Sequence, residues 1–153
     1  MGLDITYASS YSYAIKIADE PTMNSKVKVL IVDDAAIMRR MLRDMLLSVG
    51  FEIAGEAGDG ERAMEMIRQS RPDLVTLDIT MPKKDGLTVL REIKALDRSI
   101  KVIMVSAMGQ RENVIEAIKG GAENFIVKPF NADKILRVIK GLKLSPTLNF
   151  DQT

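Results

Sequence analysis

Residues 72–82 read Pro-Asp-Leu-Val-Thr-Leu-Asp-Ile-Thr-Met-Pro, an apolar run that ends on a carboxylate between two prolines. A run of this length, rich in β-forming residues, is typical of a strand buried on both faces of a parallel sheet. We therefore predict a strand over Leu74–Leu77. Asp78 would then stand at the carboxyl end of that strand, where open α/β sheets place their ligands.

The same unit of apolar strand, turn and amphipathic helix recurs five times between Val27 and Lys143. This alternation predicts an α/β domain, a parallel sheet with helices on both faces and right-handed crossovers. The other strands are predicted over Val27–Val32, Phe51–Glu56, Lys101–Val105 and Asn124–Val127. The helices are predicted over about Ala35–Ser48, about Glu61–Gln69, the segment from Leu87 to Leu96, about Arg111–Lys119, and a last segment capped by Asn131.

Helix one carries a stripe of six apolar residues: Ile37, Met38, Met41, Leu42, Met45 and Leu46. Its three methionines could make an adaptable binding surface, but such a stripe is more often part of the core. We predict that the stripe faces the sheet.

The ends of the chain differ from this repeat. Residues 1–25 hold all three tyrosines and few charges. We expect an N-terminal extension over 1–25, a domain over 26–143 and a tail over 144–153. Alternating apolar residues in the extension allow either an extra edge strand or a mobile tail.

Composition excludes several classes of site. The chain is 46% hydrophobic and 28% charged, with a formal net charge of +1, which gives no general attraction to nucleic acid or to an anionic membrane. The absence of Cys and His excludes disulfides, thiolate nucleophiles and imidazole chemistry, and leaves hard cations held by carboxylates. No apolar stretch approaches the roughly 20 residues of a membrane span, so we expect a cytoplasmic protein without membrane insertion.

Four of the five predicted strands end on a reactive or charged residue, and in a parallel sheet these ends meet at one edge. The residues are Asp33, Asp34, Asp78, Ser106 and Lys128. Three carboxylates would repel one another unless a cation entered. A divalent ion held by Asp34 and Asp78, with Asp33 acting directly or through water, resolves the conflict, and Mg²⁺ suits the site, with Mn²⁺ as an alternative.

Asp78 could then attack a phosphoryl group and form an aspartyl phosphate, while Lys128 and Ser106 compensate charge on the phosphoryl oxygens. Taken singly, each residue has a simpler explanation. Asp33 and Asp34 could be a helix cap and a first-turn acid, Ser106 a turn residue and Lys128 a solvated strand end. Their joint occurrence at strand ends favours the site.

Residues 27 to about 143 resemble the receiver domain of two-component response regulators. The matching segments are Val32-Asp33-Asp34, Leu77-Asp78-Ile79-Thr80-Met81-Pro82, Asp85-Gly86, Ser106-Ala107 and Lys128-Pro129-Phe130. The resemblance implies a flavodoxin-like sheet with strand order 2-1-3-4-5 and a Mg²⁺ ligand in the backbone carbonyl of Thr80. Residues 78–82 together with 106–110 further resemble stand-alone chemotaxis regulators of the CheY type.

The resemblance also implies a function. The chain would accept a phosphoryl group from a histidine kinase on Asp78, catalyse its own phosphorylation and dephosphorylation, and signal through helix four, strand five and helix five. Ser106 and Phe125 would form the switch, although many CheY-like proteins carry Tyr where this chain has Phe125. The expected partners are the kinase and a protein effector such as a flagellar motor switch protein, or a phosphatase, and not nucleic acid.

Three other functions remain open at this point. A haloacid-dehalogenase-type phosphatase also forms an aspartyl phosphate, but it expects a second carboxylate two residues after the nucleophile, where this chain has Thr80. A flavodoxin would want a Ser/Thr/Gly-rich phosphate loop where Asp33 and Asp34 stand. Within the receiver family, a phosphorelay intermediate would pass its phosphoryl group onward.

Overall fold

The computed structural model describes residues 26–144, which form five strands and five helices in strict alternation. The strands are β1 Lys28–Val32, β2 Glu52–Ala57, β3 Leu74–Leu77, β4 Lys101–Ser106 and β5 Asn124–Val127. The helices are α1 Ala36–Ser48, α2 Gly60–Ser70, α3 Gly86–Leu96, α4 Arg111–Lys119 and α5 Ala132–Lys140. The predicted boundaries of the five strands and of α1 to α4 agree with these to within one residue, and α5 begins directly after its predicted cap, Asn131. The predictions for residues 1–25 and for the tail beyond Leu144 lie outside the described residues.

The strands form one parallel sheet in the order β2-β1-β3-β4-β5, so the predicted strand order is confirmed. β3 lies at the centre of this sheet, and all four of its residues are buried, as expected for a strand covered on both faces. The carboxyl ends of β1 and β3, which are neighbours, therefore open side by side at one edge.

Two apolar clusters cover the two faces of the sheet. One packs α1 and α5 against Val29, Ile31, Leu74, Ile103 and Ile126. The other packs α2, α3 and α4 against the alternate strand residues, among them Leu30, Val32, Val75, Leu77 and Met104. Strand residues of opposite parity thus enter opposite cores. No helix within residues 26–144 is long and apolar enough to cross a membrane.

The predicted apolar stripe of α1 is only partly right. Leu42 and Leu46 are fully buried and Met38 and Met45 pack against the core, but Ile37 is 75% exposed and Met41 is 42% exposed. Because one helix can bury only the side that faces the sheet, the outer members of a six-residue stripe remain in solvent.

Candidate functional site

The three predicted carboxylates meet at the carboxyl edge of the sheet. One carboxylate oxygen from each of Asp33, Asp34 and Asp78 lies within 4.8 Å of the others. Asp33 and Asp78 are buried, and Asp34 is exposed. The Asp78 amide donates to the carbonyl of Val32 over 3.0 Å, so the pairing of β3 with β1 itself brings Asp78 beside the acidic pair.

Lys128 joins the two buried carboxylates, although it is 95 residues from one and 50 from the other along the chain. Its Nζ lies 2.7 Å from Asp33 Oδ2 and 3.0 Å from Asp78 Oδ2. Lys128 follows β5, and its backbone N–H donates to the carbonyl of Ser106 over 2.9 Å. Lys128 therefore belongs to the same site, and the reading of it as a solvated strand end is wrong.

Burial and ion pairing shift the pKa values of Asp33 and Lys128 in opposite directions. Burial raises the pKa of the Asp33 carboxyl above its ordinary value, although the hydrogen bond from Lys128 opposes the rise. For Lys128, burial alone would lower the pKa of the ammonium. The hydrogen bonds to Asp33 and Asp78 outweigh burial and raise that pKa, so the ammonium stays charged.

The acidic pair does not cap α1, contrary to the simpler explanation. The N-cap is Ala35, which makes no side-chain cap hydrogen bond, and the first turn holds no acid. Asp33 Oδ1 instead accepts from the Ala35 amide over 2.9 Å, within the loop between β1 and α1. Its Oδ2 accepts from Lys128 Nζ, which also donates to Asp78 Oδ2.

The remaining predicted residues lie around this centre. Ser106 is fully buried at the end of β4, where its Oγ accepts from the Met108 amide over 3.1 Å. Thr80 is exposed, two residues beyond Asp78. Phe125, on β5, packs partly buried against the core cluster of α2, α3 and α4. The Thr80 carbonyl as a metal ligand and the pairing of Ser106 with Phe125 as a switch stay predictions.

The donors present fit a hard divalent cation. Three carboxylates within reach of one another, without Cys or His, are the ligands that Mg²⁺ prefers, and Mg²⁺ commonly keeps several waters beside one or two carboxylates. The exposed position of Asp34 leaves room for those waters. The Lys128 ammonium offsets part of the negative charge that Asp33 and Asp78 carry.

Sequence reasoning identifies Gly86 through the matching segment Asp85-Gly86, but it predicts neither of two backbone contacts beside the site. Arg39 on α1 donates to the backbone carbonyl of Asp33. Gly86, the first residue of α3, lies so close to the Asp78 carbonyl that a Cβ at this position would overlap it. Neither contact has a periodic signal, because both join segments that only the fold brings together.

Comparison with known proteins agrees with this geometry. The family model of the response regulator receiver domain matches residues 29–140. The chain is 54% identical over 112 residues to the chemotaxis protein CheY of Bacillus subtilis (strain 168), which covers 73% of this chain and 93% of that relative. It is 50% identical over 112 residues to the chemotaxis protein CheY of Thermotoga maritima, with the same shares covered.

The fold agrees as well. In the crystal structure of the CheX–CheY–BeF3–Mg²⁺ complex from Borrelia burgdorferi, a chain 40% identical to this one superposes with a TM-score of 0.75. The match covers 77% of this chain and 90% of that one. The predicted flavodoxin-like class and the family resemblance are thereby confirmed. The chain belongs to the response regulator receiver domain family, as a CheY-like phosphoacceptor.

Proposed function

We propose that this protein is a chemotaxis response regulator in which Asp78 accepts a phosphoryl group from the phosphohistidine of a partner kinase. The observation that carries the proposal is the ion pair that Lys128 makes with both Asp33 and Asp78 beside a third carboxylate. The relatives named for chemotaxis favour this role over that of a phosphorelay intermediate. The flavodoxin and the haloacid dehalogenase readings are wrong, since the matching family is neither.

In the proposed transfer, a carboxylate oxygen of Asp78 attacks phosphorus in line, the P–N bond of the donor breaks, and the imidazole leaves with its electron pair and takes up a proton from water. Mg²⁺, held by Asp33, Asp34, Asp78 and the Thr80 carbonyl, would neutralise charge on the phosphoryl oxygens. The Lys128 ammonium and the Ser106 hydroxyl would contact other phosphoryl oxygens. No general base is required, which fits a chain without His.

The test uses acetyl phosphate as the donor, in the presence of Mg²⁺, with intact mass as the readout. We expect the wild type to gain one phosphoryl group and Asp78→Asn to gain none. Asp85→Asn is the matched control. Asp85 Oδ1 caps α3 by accepting from the Thr88 amide over 2.9 Å, and Asn can make the same cap. No gain in the wild type, or an equal gain in Asp78→Asn, would contradict the proposal.

The output surface is proposed to be α4, β5 and α5. Its support is an exposed apolar group, Ile115, Ile118 and Val127, which are between 42% and 49% exposed. Beside it, a depression of about 530 Å³ is lined by Phe125, Val127, Pro129, Phe130, Asn131 and Lys134. Val127 directly precedes Lys128, so this surface adjoins the phosphoacceptor site along one strand. Its proposed occupants are the kinase, a motor switch protein or a CheX-like protein.

Phosphorylation would shift a pre-existing equilibrium of this surface, with Ser106 drawn towards the phosphoryl group and Phe125 moving into the vacated space. The check is NMR of the Mg²⁺–beryllofluoride form, with Asp78→Asn under the same reagents as the control. We expect shifts at Ile115, Ile118 and Val127 in the wild type only. Shifts confined to residues beside Asp78 would rule the switch out.

A further inference from the structure

Arg39 connects three elements next to the phosphoacceptor site. Its Nη1 donates to the backbone carbonyl of Asp33 over 2.6 Å, and its Nε donates to Glu56 Oε1 on β2 over 3.2 Å. The Arg39 side chain is only 21% exposed. A planar guanidinium can hold both acceptors at once, so the loop after β1 is fastened to α1 and β2 together.

The carbonyl that Arg39 holds belongs to the peptide between Asp33 and Asp34. The Asp33 amide is fixed separately, by donation to the Ala57 carbonyl over 3.0 Å. Because both the N–H and the C=O of Asp33 are hydrogen-bonded, the position of the Asp33 carboxylate and the backbone direction towards Asp34 are fixed together. α1 has no side-chain cap, and the loop before it is held by the Arg39 donation to the Asp33 carbonyl and by the Ala35 amide, which donates to Asp33 Oδ1.

An irregularity in β2 places the second partner of Arg39. Val29 pairs with Ile53, but Leu30 pairs with Gly55, so Ala54 is an extra residue in the strand. The extra residue brings Glu56 opposite Ile31, whose side chain enters the α1 and α5 cluster. Without it, Glu56 would fall opposite Val32, on the other face of the sheet, away from Arg39.

We infer that Arg39, held by Glu56, is a positioning residue that aligns Asp33 and Asp34 for Mg²⁺. The inference rests on the proposed function, since it assigns a role toward the metal of that site. Mg²⁺ tolerates little departure from octahedral geometry, so ligands that lose their alignment bind it more weakly. Neither ligand contacts Arg39 through its carboxylate, so the effect passes through the backbone.

Charge alone predicts the opposite effect. Arg39 is a cation close to a cation site, and its removal by itself should strengthen Mg²⁺ binding. A positioning role should weaken it. The sign of the change in Mg²⁺ affinity therefore separates the two roles of the same side chain.

The experiment measures Mg²⁺ dissociation constants by NMR titration of the phosphate-free full chain. Arg39→Gln is compared with Arg43→Gln, a matched control that removes the same charge from the same helix. Arg43 Nη1 also pairs with Glu56, at 3.1 Å, but Arg43 donates no hydrogen bond to Asp33 among the described residues. We expect binding about tenfold weaker in Arg39→Gln and unchanged or slightly tighter in Arg43→Gln.

Three further readouts distinguish a positioning role from a general loss of structure. Before Mg²⁺ is added, the amide signals of Asp34 and Ala35 should move in Arg39→Gln and stay in place in Arg43→Gln. The thermal unfolding temperature should fall more in Arg39→Gln than in Arg43→Gln, because Arg39 is more buried and also loses its bond to the Asp33 carbonyl, but both variants should remain folded at the titration temperature. With acetyl phosphate, saturating Mg²⁺ should restore phosphorylation of Arg39→Gln towards the wild-type rate.

Equal or tighter Mg²⁺ binding by Arg39→Gln, relative to Arg43→Gln, would overturn the positioning role and leave the proposed function intact. A wild type that bound no Mg²⁺ would overturn both. A wild type that bound Mg²⁺ but took up no phosphoryl group would overturn only the proposed function.

Discussion

Lys128 is the residue on which the charge balance of the site depends. Its ammonium contacts Asp33 and Asp78 and is raised in pKa by those contacts, so it stays charged beside two buried carboxylates. The same contacts make it a competitor for a metal ion, because Mg²⁺ would draw on the same oxygens. Lys128 should therefore oppose metal binding and support phosphoryl transfer.

Lys128→Gln separates these effects. We expect tighter Mg²⁺ binding, because a competing cation is gone, and phosphoryl uptake slower by about 10²-fold, because the positive charge that would compensate the phosphoryl oxygens is lost. NMR titration measures the Mg²⁺ affinity, and intact mass followed over time measures the rate of phosphoryl uptake. Lys134→Gln, an exposed position on α5, is the control. Weaker Mg²⁺ binding in Lys128→Gln would show that the ammonium organises the carboxylates and does not compete.

Thr76 places a buried polar group in the centre of the sheet, where it lowers the stability of the fold. It lies on β3, two residues before Asp78, 1% exposed, and its Oγ1 has no hydrogen-bond partner among residues 26–144. A buried unpaired hydroxyl destabilises the folded state, and Val has nearly the same shape without it. We expect Thr76→Val to raise the free energy of unfolding by about 1 kcal/mol in urea titrations followed by circular dichroism. A loss of stability would mean that the hydroxyl has a partner, such as buried water.

At the scale of elements, the loop between β3 and α3 is held by two close backbone approaches. A Cβ at Gly86 would overlap the Asp78 carbonyl, and a Cβ at Gly60 would overlap the Lys84 carbonyl. The Gly86 amide also donates to the Ile79 carbonyl over 2.7 Å. The loop that carries Thr80 is therefore locked on both sides by glycines at helix starts.

Gly86→Ala should disturb this loop and the site together. The added methyl forces the backbone at Asp78 to move, which we expect to cost about 1–3 kcal/mol of unfolding free energy. Phosphoryl uptake should slow as well. Gly141→Ala is the control, because its Cβ would meet neighbours only at ordinary contact distance, 3.5 Å or more. Equal stability of the two variants would show that the loop yields without strain.

Sequence periodicity predicted these elements well where the signal is local. Strand β3 is buried throughout, and apolar except for Thr76, because both faces are covered, and Asn131 caps α5 by accepting from the Lys134 amide over 2.9 Å. Periodicity wrongly predicted that Ile37 and Met41 of α1 are buried, because the burial of a helix residue depends on which neighbours pack against it. The extra residue Ala54 in β2 leaves no periodic mark at all.

The same distinction applies to the site. Asp33, Asp34, Asp78 and Lys128 were predictable because topology sends every parallel strand end to one edge. The residues that contact these four from outside the site could not be predicted in this way. A contact such as that of Arg39 with the Asp33 carbonyl depends on side-chain reach and on backbone register.

For the molecule as a whole, the two ends of the parallel strands differ in function: one carries the phosphoacceptor site and the other a structural ion pair. The carboxyl edge gathers the charged groups of the site. The amino edge holds a structural ion pair, in which Lys94 Nζ lies 3.3 Å from Glu123 Oε2 and 2.6 Å from the carbonyl of Ile100. Glu123 Oε1 also accepts from the Val102 amide over 2.7 Å. This network ties α3 to the starts of β4 and β5, far from the phosphoacceptor.

Glu123→Gln should therefore lower stability without slowing the chemistry. The Lys94 side chain is 9% exposed and that of Glu123 is 23% exposed, so removing the carboxylate leaves a mostly buried ammonium with only carbonyl partners. Breaking a fully buried pair costs about 3–5 kcal/mol, and partial exposure reduces our expectation to about 1–3 kcal/mol. Unfolding in urea, followed by circular dichroism, measures the loss.

The control is Glu116→Gln, which breaks the pair of Arg91 and Glu116, where both side chains are more than half exposed. A pair of that kind contributes little, so stability should change by less than about 1 kcal/mol. Phosphoryl uptake by Glu123→Gln, measured well below its unfolding transition, should match the wild type. Slower uptake there would show that the two edges are coupled through β4 and β5, since β4 ends on Ser106, Lys128 directly follows β5, and both strands begin beside the ion pair.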